Sequence, residues 1–316
     1  MMDVVTIGES MVVFTPTSPL MRYAHTYSRK FGGAETNVAI GLTRLGHDVG
    51  WISKVGDDEF GKSLLSFIRG EGVDVSQVKY DENASTGIYF KEIRHGGDVR
   101  VQYYRKNSAA SHLSLKDINP DYIKRAKFLH LTGITPALSK SCYEAVLRAI
   151  HIAKEHGVKI IFDPNLRKKL WSEEEARRVL LELSGLADIV LPGVDEGKFM
   201  FGEEDPNKLC QLFLNQGATV VILKVGAKGA YYGTKDEVKL VHGFPVKTVI
   251  DPVGAGDGFA AGIISGLLDG MELEKVVERG NAVGAIATQV EGDFESLPDR
   301  DELFRFFHST GDDINR

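Results

Sequence analysis

The 316-residue chain predicts an α/β protein with a mostly parallel central sheet, and three observations carry that prediction. Short β-branched runs recur along its length. Helical patterns fall between most of them. One stretch breaks the alternation with a hairpin. The runs read VVTIG at 4–8, VGWISKVG at 49–56, AKFLHLTG at 126–133, VKIIFDPN at 158–165, ADIVLPG at 187–193 and ATVVILKVG at 218–226. The pattern between them is illustrated by SCYEAVLRAIHIAKEHG at 141–157, where apolar residues recur three and four apart and Gly157 closes the helix. Strand–helix alternation of this kind gives parallel strands covered by helices, with ligands bound at the strand C-termini. No internal repeat or low-complexity tract interrupts it.

The exception is TGIYFKEIRHGGDVRVQYYRKNSAA at 86–110. It reads as two strands, roughly 86–94 and 99–105, joined by a turn around Gly96-Gly97. Tyrosines and charged side chains share its faces instead of a plain apolar stripe. A small β-element projecting from an α/β body serves as a lid in many enzymes; a solvent-exposed ornament is the alternative.

Bulk properties narrow the function. Hydrophobic residues make up 43% and charged residues 26%, enough to bury a real core. A formal net charge of −6 argues against nucleic acid as a partner. Cys142 and Cys210 lie far apart without metal-ligand spacing, which fits a reducing compartment. The opening MMDVVTIGES lacks a basic segment followed by an apolar run, and no apolar segment approaches the roughly 20 residues that span a bilayer. The expectation is a cytoplasmic protein with no membrane partner.

The most informative stretch is DPVGAGDGFAAG at 251–262. Gly254, Gly256 and Gly258 do not match the GxGxxG dinucleotide fingerprint, and no GxxxxGK[ST] loop occurs. Two readings remain. Asp257 caps a helix running from about Gly258 to Leu268. Alternatively, the side-chain-poor Gly254, Ala255 and Gly256 gather backbone N–H groups at a helix N-terminus around an anion. A carboxylate within such a site has a chemical use, taking the proton from an alcohol that attacks a phosphate.

This stretch resembles the C-terminal signature of the PfkB-type (ribokinase-like) carbohydrate kinases. FGGAETNVAIGLTRLG at 31–46 resembles their N-terminal signature, WISKVGDDEFG at 51–61 their VGDDxFG segment, and LKVGAKGAYY at 223–232 their nucleotide-side strand and turn. The resemblance covers nearly the whole chain in order. It implies a single domain over 1–316, a ribokinase-like three-layer α/β/α sandwich, with a β-lid formed by roughly 10–30 and 86–106. It implies ATP and Mg²⁺, a monovalent cation such as K⁺ near Asp251, and a homo-oligomer paired through the lid.

Residue by residue, the resemblance makes Asp257 the catalytic base and Gly254, Ala255 and Gly256 the anion hole. Gly32, Gly33 and Asn37 match the sugar-binding segment, with a helix N-terminus and a buried Asn as the alternative. Lys224, Gly226 and Gly229 match the strand end and turn that meet ATP, although VGAKGA alone is only a turn signal. Asn281 falls where relatives contact adenine or ribose, or is an ordinary helix-face Asn. The family's NxxE motif departs here: LPGVDEG has Gly193 in place of Asn but keeps Glu196, a candidate for organising Mg²⁺ through water.

The acceptor must be read from side chains that would face it. The hairpin offers Tyr89, Tyr103 and Arg105, and FDPNLRKKLW at 162–171 places Arg167 after a strand C-terminus. Asn165 there reaches toward phosphate or simply forms a turn. A hexose needs no cation, whereas a carboxylate suits arginine's planar fork. YYRKNSAAS, DPNLRKKLW and LPGVDEG together resemble the 2-keto-3-deoxygluconate kinase branch of the family. In that branch residues matching Gly33, Tyr89, Tyr103, Arg105 and Arg167 contact a sugar acid. Fructokinases share most of the motifs and are the nearest alternative. Many relatives carry an aspartate just after the first strand; here the strand ends Gly8-Glu9-Ser10, with no role readable for Glu9 or Ser10. A sugar or nucleotide sensor without turnover would show damage to the base or the anion loop, and neither is damaged.

Overall fold

The computed structural model describes residues 2–18, 20–94 and 99–308. Thirteen strands form among them: β1 (Met2–Ile7), β2 (Met11–Pro16), β3 (Tyr27–Gly32), β4 (Val49–Gly56), β5 (Asp74–Asp81), β6 (Ile88–Ile93), β7 (Val99–Tyr104), β8 (Ala126–Thr132), β9 (Lys159–Asp163), β10 (Ile189–Val190), β11 (Val220–Lys224), β12 (Gly229–Gly233) and β13 (Val238–His242). Nine of them make one sheet in the order β13-β12-β11-β10-β9-β8-β1-β4-β5. From β5 to β11 every pairing is parallel, and β12 and β13 add an antiparallel edge.

Side-chain alternation explains the three layers. Along the central strands neighbouring residues face opposite ways: Val4 packs into one core and Val5 into the other, as do Ile161 and Ile160. Both faces are therefore apolar, which is what a sheet covered by helices on each side requires. Helices Ala34–Arg44, Ala255–Leu268 and Leu273–Ala287 cover one face around Trp51 and Phe259. Helices Lys140–Glu155, Glu173–Leu186 and Pro206–Gln216 cover the other around Leu129 and Phe213. Gly157 leaves Lys140–Glu155 at φ +71, as the sequence predicts, and Ser139 caps its start.

The remaining strands form a separate sheet, β3-β2-β6-β7. The expected hairpin is present as β6 and β7, pairing Tyr89 with Tyr103; the turn at Gly96-Gly97 lies outside the described residues. The base of this sheet is tied to the body by the VGDDEFG segment. Asp58 caps helix Glu59–Gly70 through Gly61 N–H, and its carboxylate also accepts from the Thr86 N–H and hydroxyl.

Strand order determines where a ligand goes. From β1 the chain moves outward to β4 and β5, and from β8 it moves the other way to β9, β10 and β11. The reversal lies between β1 and β8, and the crevice above such a switch point is the usual binding site in open α/β sheets.

One boundary needs correction. The last glycine-rich helix starts at Ala255, not near Gly258. Gly254 is its N-cap at φ +84, and no side chain caps it. Asp257 therefore sits in the first turn with its carboxylate free for other work, so the capping reading fails. Gly254 has a steric reason to be glycine as well: an added Cβ would lie 2.4 Å from the Asp293 carbonyl oxygen.

Candidate active site

A cleft of about 330 Å³ opens at the C-terminal ends of β1 and β9, roofed by the small sheet. It brings together Gly32, Gly33, Asn37, Tyr89, Tyr103, Arg105, Asn165, Arg167, Glu196, Lys224, Gly254, Gly256 and Asp257, with Ala255 between the two glycines. These residues come from seven separate stretches of sequence. A second cleft of about 690 Å³ holds Gly193 and Gly226, and Glu196 and Lys224 line both clefts. Gly229 and Asn281 line neither. Gly229 makes a tight turn at φ +107, and Asn281 is committed to the Val241 and His242 carbonyls at 3.1 and 3.2 Å.

Asp257 is the centre of the site. Its carboxylate accepts a 2.7 Å hydrogen bond from Asn37 Nδ2. Burial pushes its pKa up to about 7; Asp163 and Asp293 add to the rise, while Asn37 and Arg167 oppose it. The result is a carboxylate able to exchange a proton near neutral pH. Asn37 is buried and, among the described residues, its Oδ1 has no hydrogen-bond partner.

The strand-end lysine is held by its neighbours. Lys224 Nζ lies 3.0 and 2.9 Å from the two Asp163 oxygens. Burial disfavours its charge, but Asp163 and Glu196 outweigh that and raise its pKa. Glu196 accepts from Leu166 N–H at 2.8 Å and Gly193 N–H at 2.7 Å. Burial raises its pKa, with Asp163 adding and Lys224 opposing. Gly193 thus takes part through its backbone, and the departure from NxxE leaves the Glu196 anchor intact. Asn165 adopts the left-handed conformation at φ +38, its N–H bonded to Asp163 Oδ1 at 3.1 Å.

On the acceptor side the two arginines differ. Arg167 is exposed at the rim and, among the described residues, makes no ion pair. Arg105 is buried against Glu9, with Nε at 2.7 Å and Nη2 at 2.5 Å from Oε2, and its guanidinium lies 5.4 Å from the Tyr103 ring centre. Ser108 completes the group by donating to the other Glu9 oxygen at 2.5 Å. Tyr89 donates to Asp293 Oδ2 at 2.6 Å. Gly32 makes this contact possible, because a Cβ there would lie 2.4 Å from the Tyr89 hydroxyl and 2.5 Å from Asp293.

Several of these partners carry no reading from sequence. Asp163 falls in FDPN, and its place at the end of a buried strand is the signal the sequence offers. Glu9 has no such signal. Glu35 is fully buried, accepting from Thr132 and Thr135, and among the described residues its Oε2 has no partner. Asp293 follows an irregular tail with no periodic pattern to mark it.

Comparison with known proteins identifies the family. Residues 1–300 match the model of the pfkB family carbohydrate kinases, and the chain belongs to that family. It is 43% identical over 309 residues to a 2-dehydro-3-deoxygluconokinase of Bacillus subtilis, covering 96% of this chain and 95% of that one. It is 34% identical to a fructokinase-1 of Oryza sativa, covering 97% and 98%. Among solved structures, a PfkB protein from Polaromonas sp. JS666 superposes with a TM-score of 0.89 at 41% identity, covering 96% and 99%. A ribokinase-type protein from Escherichia coli in complex with ATP and Mg²⁺ gives 0.89 at 29%, covering 97% and 99%. A fructokinase from Vibrio cholerae with fructose, ADP and potassium gives 0.88 at 29%, covering 96% and 98%.

Proposed function

We propose that this carbohydrate kinase transfers the ATP γ-phosphate to the terminal hydroxyl of 2-keto-3-deoxygluconate, giving 2-keto-3-deoxy-6-phosphogluconate. The observation that carries the reading is Asp257. It is a carboxylate with its pKa near 7, standing between two acceptor-side arginines and a helix N-terminus free of side chains. The hydroxyl oxygen forms the new bond to γ-phosphorus as the bond to the β-phosphate oxygen breaks, and ADP leaves. Asp257 takes the hydroxyl proton. The amides of Gly254 and Gly256 would meet the phosphoryl charge, joined by that of Ala255 on release of its long 3.4 Å bond to the Pro252 carbonyl. A Cβ added at Gly256 would meet no protein atom, so the bare backbone there keeps space for something other than the chain.

Among the described residues no group of three metal-ligating side chains occurs, so Mg²⁺ would arrive on the nucleotide phosphates, with Glu196 meeting it through water. When bound, Mg²⁺ supplies Lewis-acid neutralisation of phosphate charge. Lys224, lining both clefts, stands where the two substrates meet. Tyr89, Tyr103 and Gly33 border the sugar, and Arg167 and Arg105 offer a carboxylate planar donors. The small sheet excludes water that would otherwise hydrolyse ATP.

A fructokinase reading has one observation in its favour: Arg105 is already neutralised by Glu9, leaving fewer charges for an acid. Sugar identity is tested by incubating MgATP with 2-keto-3-deoxygluconate or fructose and detecting the phosphate ester by ³¹P NMR. Ester formation on fructose alone would replace the first reading with the second. On the outer face of the small sheet Phe14, Tyr27 and the exposed Tyr104 each contact Phe90, a surface suited to a second copy of the chain. A homodimer through this face, measurable by light scattering, completes the proposal. No helix among the described residues is long and apolar enough to cross a membrane, and the cytoplasm, with its ATP, is the compartment we assign.

A further inference from the structure

The family resemblance implies a monovalent cation near Asp251, and the residues around Asp251 test whether one fits. Asp251 is fully buried immediately before the Gly254–Gly256 loop. Its Oδ1 accepts from Val253 N–H at 3.0 Å. Its Oδ2 accepts from Gly292 N–H at 3.1 Å and from the ammonium of Lys91 at 2.5 Å. Lys91 comes from β6 of the small sheet and is itself 3% exposed. The same ammonium reaches Asp293 Oδ1 at 2.8 Å, and Asp293 Oδ2 takes the Tyr89 hydroxyl. Every oxygen of both carboxylates already has a donor. A cation needs oxygen lone pairs, and at Asp251 Oδ2 is already engaged by a positive group that belongs to the chain and Oδ1 by the Val253 N–H.

We propose that the Lys91 ammonium takes the place of the bound monovalent cation, holding the anion loop through Asp251 so that turnover is independent of K⁺. The proposal rests on the kinase reading above. Two buried carboxylates without a partner cation would be strongly unfavourable beside this loop. One ammonium against two carboxylates leaves a single negative charge, shared by the Tyr89 hydroxyl and the Val253 and Gly292 N–H groups. Asp251 thereby fixes Val253 at the start of the loop and Gly292 beside Asp293. The Asp293 carbonyl oxygen is the atom on which Gly254 packs. Order in the anion loop is thus linked to the seating of β6 over the cleft, a link that a diffusible ion would not provide. Lys91 is a positioning residue: its effect on the reaction runs through the loop.

The test compares the wild type with Lys91→Ala and Lys91→Arg in tetramethylammonium chloride, with KCl, NaCl or methylammonium chloride added at constant ionic strength. With MgATP and 2-keto-3-deoxygluconate, the wild-type rate is expected to stay unchanged on adding K⁺. Lys91→Ala should lose at least about tenfold in tetramethylammonium, as when a preorganised charge is removed, and recover in part with K⁺ or methylammonium. Lys91→Arg should retain most activity. Thermal melting gives a reading apart from turnover: KCl should raise the Tm of Lys91→Ala relative to tetramethylammonium and leave the wild type unmoved. A wild type activated several-fold or selectively stabilised by K⁺ overturns the proposal. So does a folded Lys91→Ala that is fully active without K⁺, or one whose loss no small cation repairs. A wild type that phosphorylates no sugar in either salt condemns the kinase reading instead, and the melting curves still decide the cation question.

Discussion

The two halves of the active-site region are built differently. The acceptor half, under the small sheet, is walled by side chains bonded to one another: Glu9 to Arg105 and Ser108, Tyr89 to Asp293, Asn37 to Asp257. The donor half gathers glycine-bearing turns and helix starts at Gly193, Gly226 and Gly254–Gly256 beside the charged side chains of Glu196 and Lys224. Side-chain networks distinguish one sugar from another, because an analogue that breaks a network leaves buried groups unpaired. Bare backbone suits the constant part of the reaction, a polyphosphate whose charge is met by N–H groups. Selectivity should therefore respond to substitutions on the first side and rate to substitutions on the second, with Asp257 at the boundary between them.

The largest effect is expected at that boundary. Asp257→Asn should lower kcat by ~10²–10⁴-fold, the range for loss of a positioned base, while ATP affinity by calorimetry stays near wild type. Next, Arg167→Ala should raise KM for 2-keto-3-deoxygluconate by ~10- to 100-fold, matching about 1.5–3 kcal/mol for hydrogen bonds to a charge. KM for fructose should move far less, and equal changes for both sugars would erase the distinction between the halves. On the donor side, Gly254→Ala should cost about 1–3 kcal/mol of stability, read as a lower Tm, and depress kcat, since φ +84 and the Asp293 carbonyl leave no place for a Cβ.

The pH dependence follows from Asp257. Its pKa rises from 3.8 to about 7 in the folded protein, so kcat/KM should climb as pH passes through about 7 and the base loses its proton. Stability has the opposite slope. The folded state holds the extra proton between those two values, so the contribution is full below about pH 4 and lost as pH rises through 7. Melting curves of Asp257→Asn should lack this part of the slope. The smallest effect belongs to Gly193→Asn. The nearest atom to an added Cβ is 3.5 Å away, and Asn for Gly at an N-cap changes stability by only about a few tenths of a kcal/mol.

The same division governs what the sequence reveals. Strands with both faces apolar, such as VKIIFDPN and ATVVILKVG, declare themselves by composition, and they are where the sequence reading puts them. The donor half is equally legible, because anion-binding backbone requires small residues in a row, as in VGAG. The acceptor half is legible only as candidate residues. Arg105 looks like a free cation until β1 and the small sheet meet and Glu9 neutralises it. Lys91 reads as an ordinary strand residue, and its partners Asp251 and Asp293 lie 160 and 202 positions away. Side chains paired over such distances leave no local pattern. The helix start at Ala255 leaves no mark in the sequence, because Gly254 supplies the N-cap by conformation alone, without the polar side chain that marks most helix beginnings.

If the base Asp257 serves an acid-selective acceptor site, that selectivity must show in kcat/KM for 2-keto-3-deoxygluconate and for fructose, measured with MgATP in a coupled ADP assay on the wild-type protein. A clear preference for the keto acid is expected, with its 6-phosphate as product. Fructose turned over equally well or better, or ADP released without either sugar being phosphorylated, would contradict it.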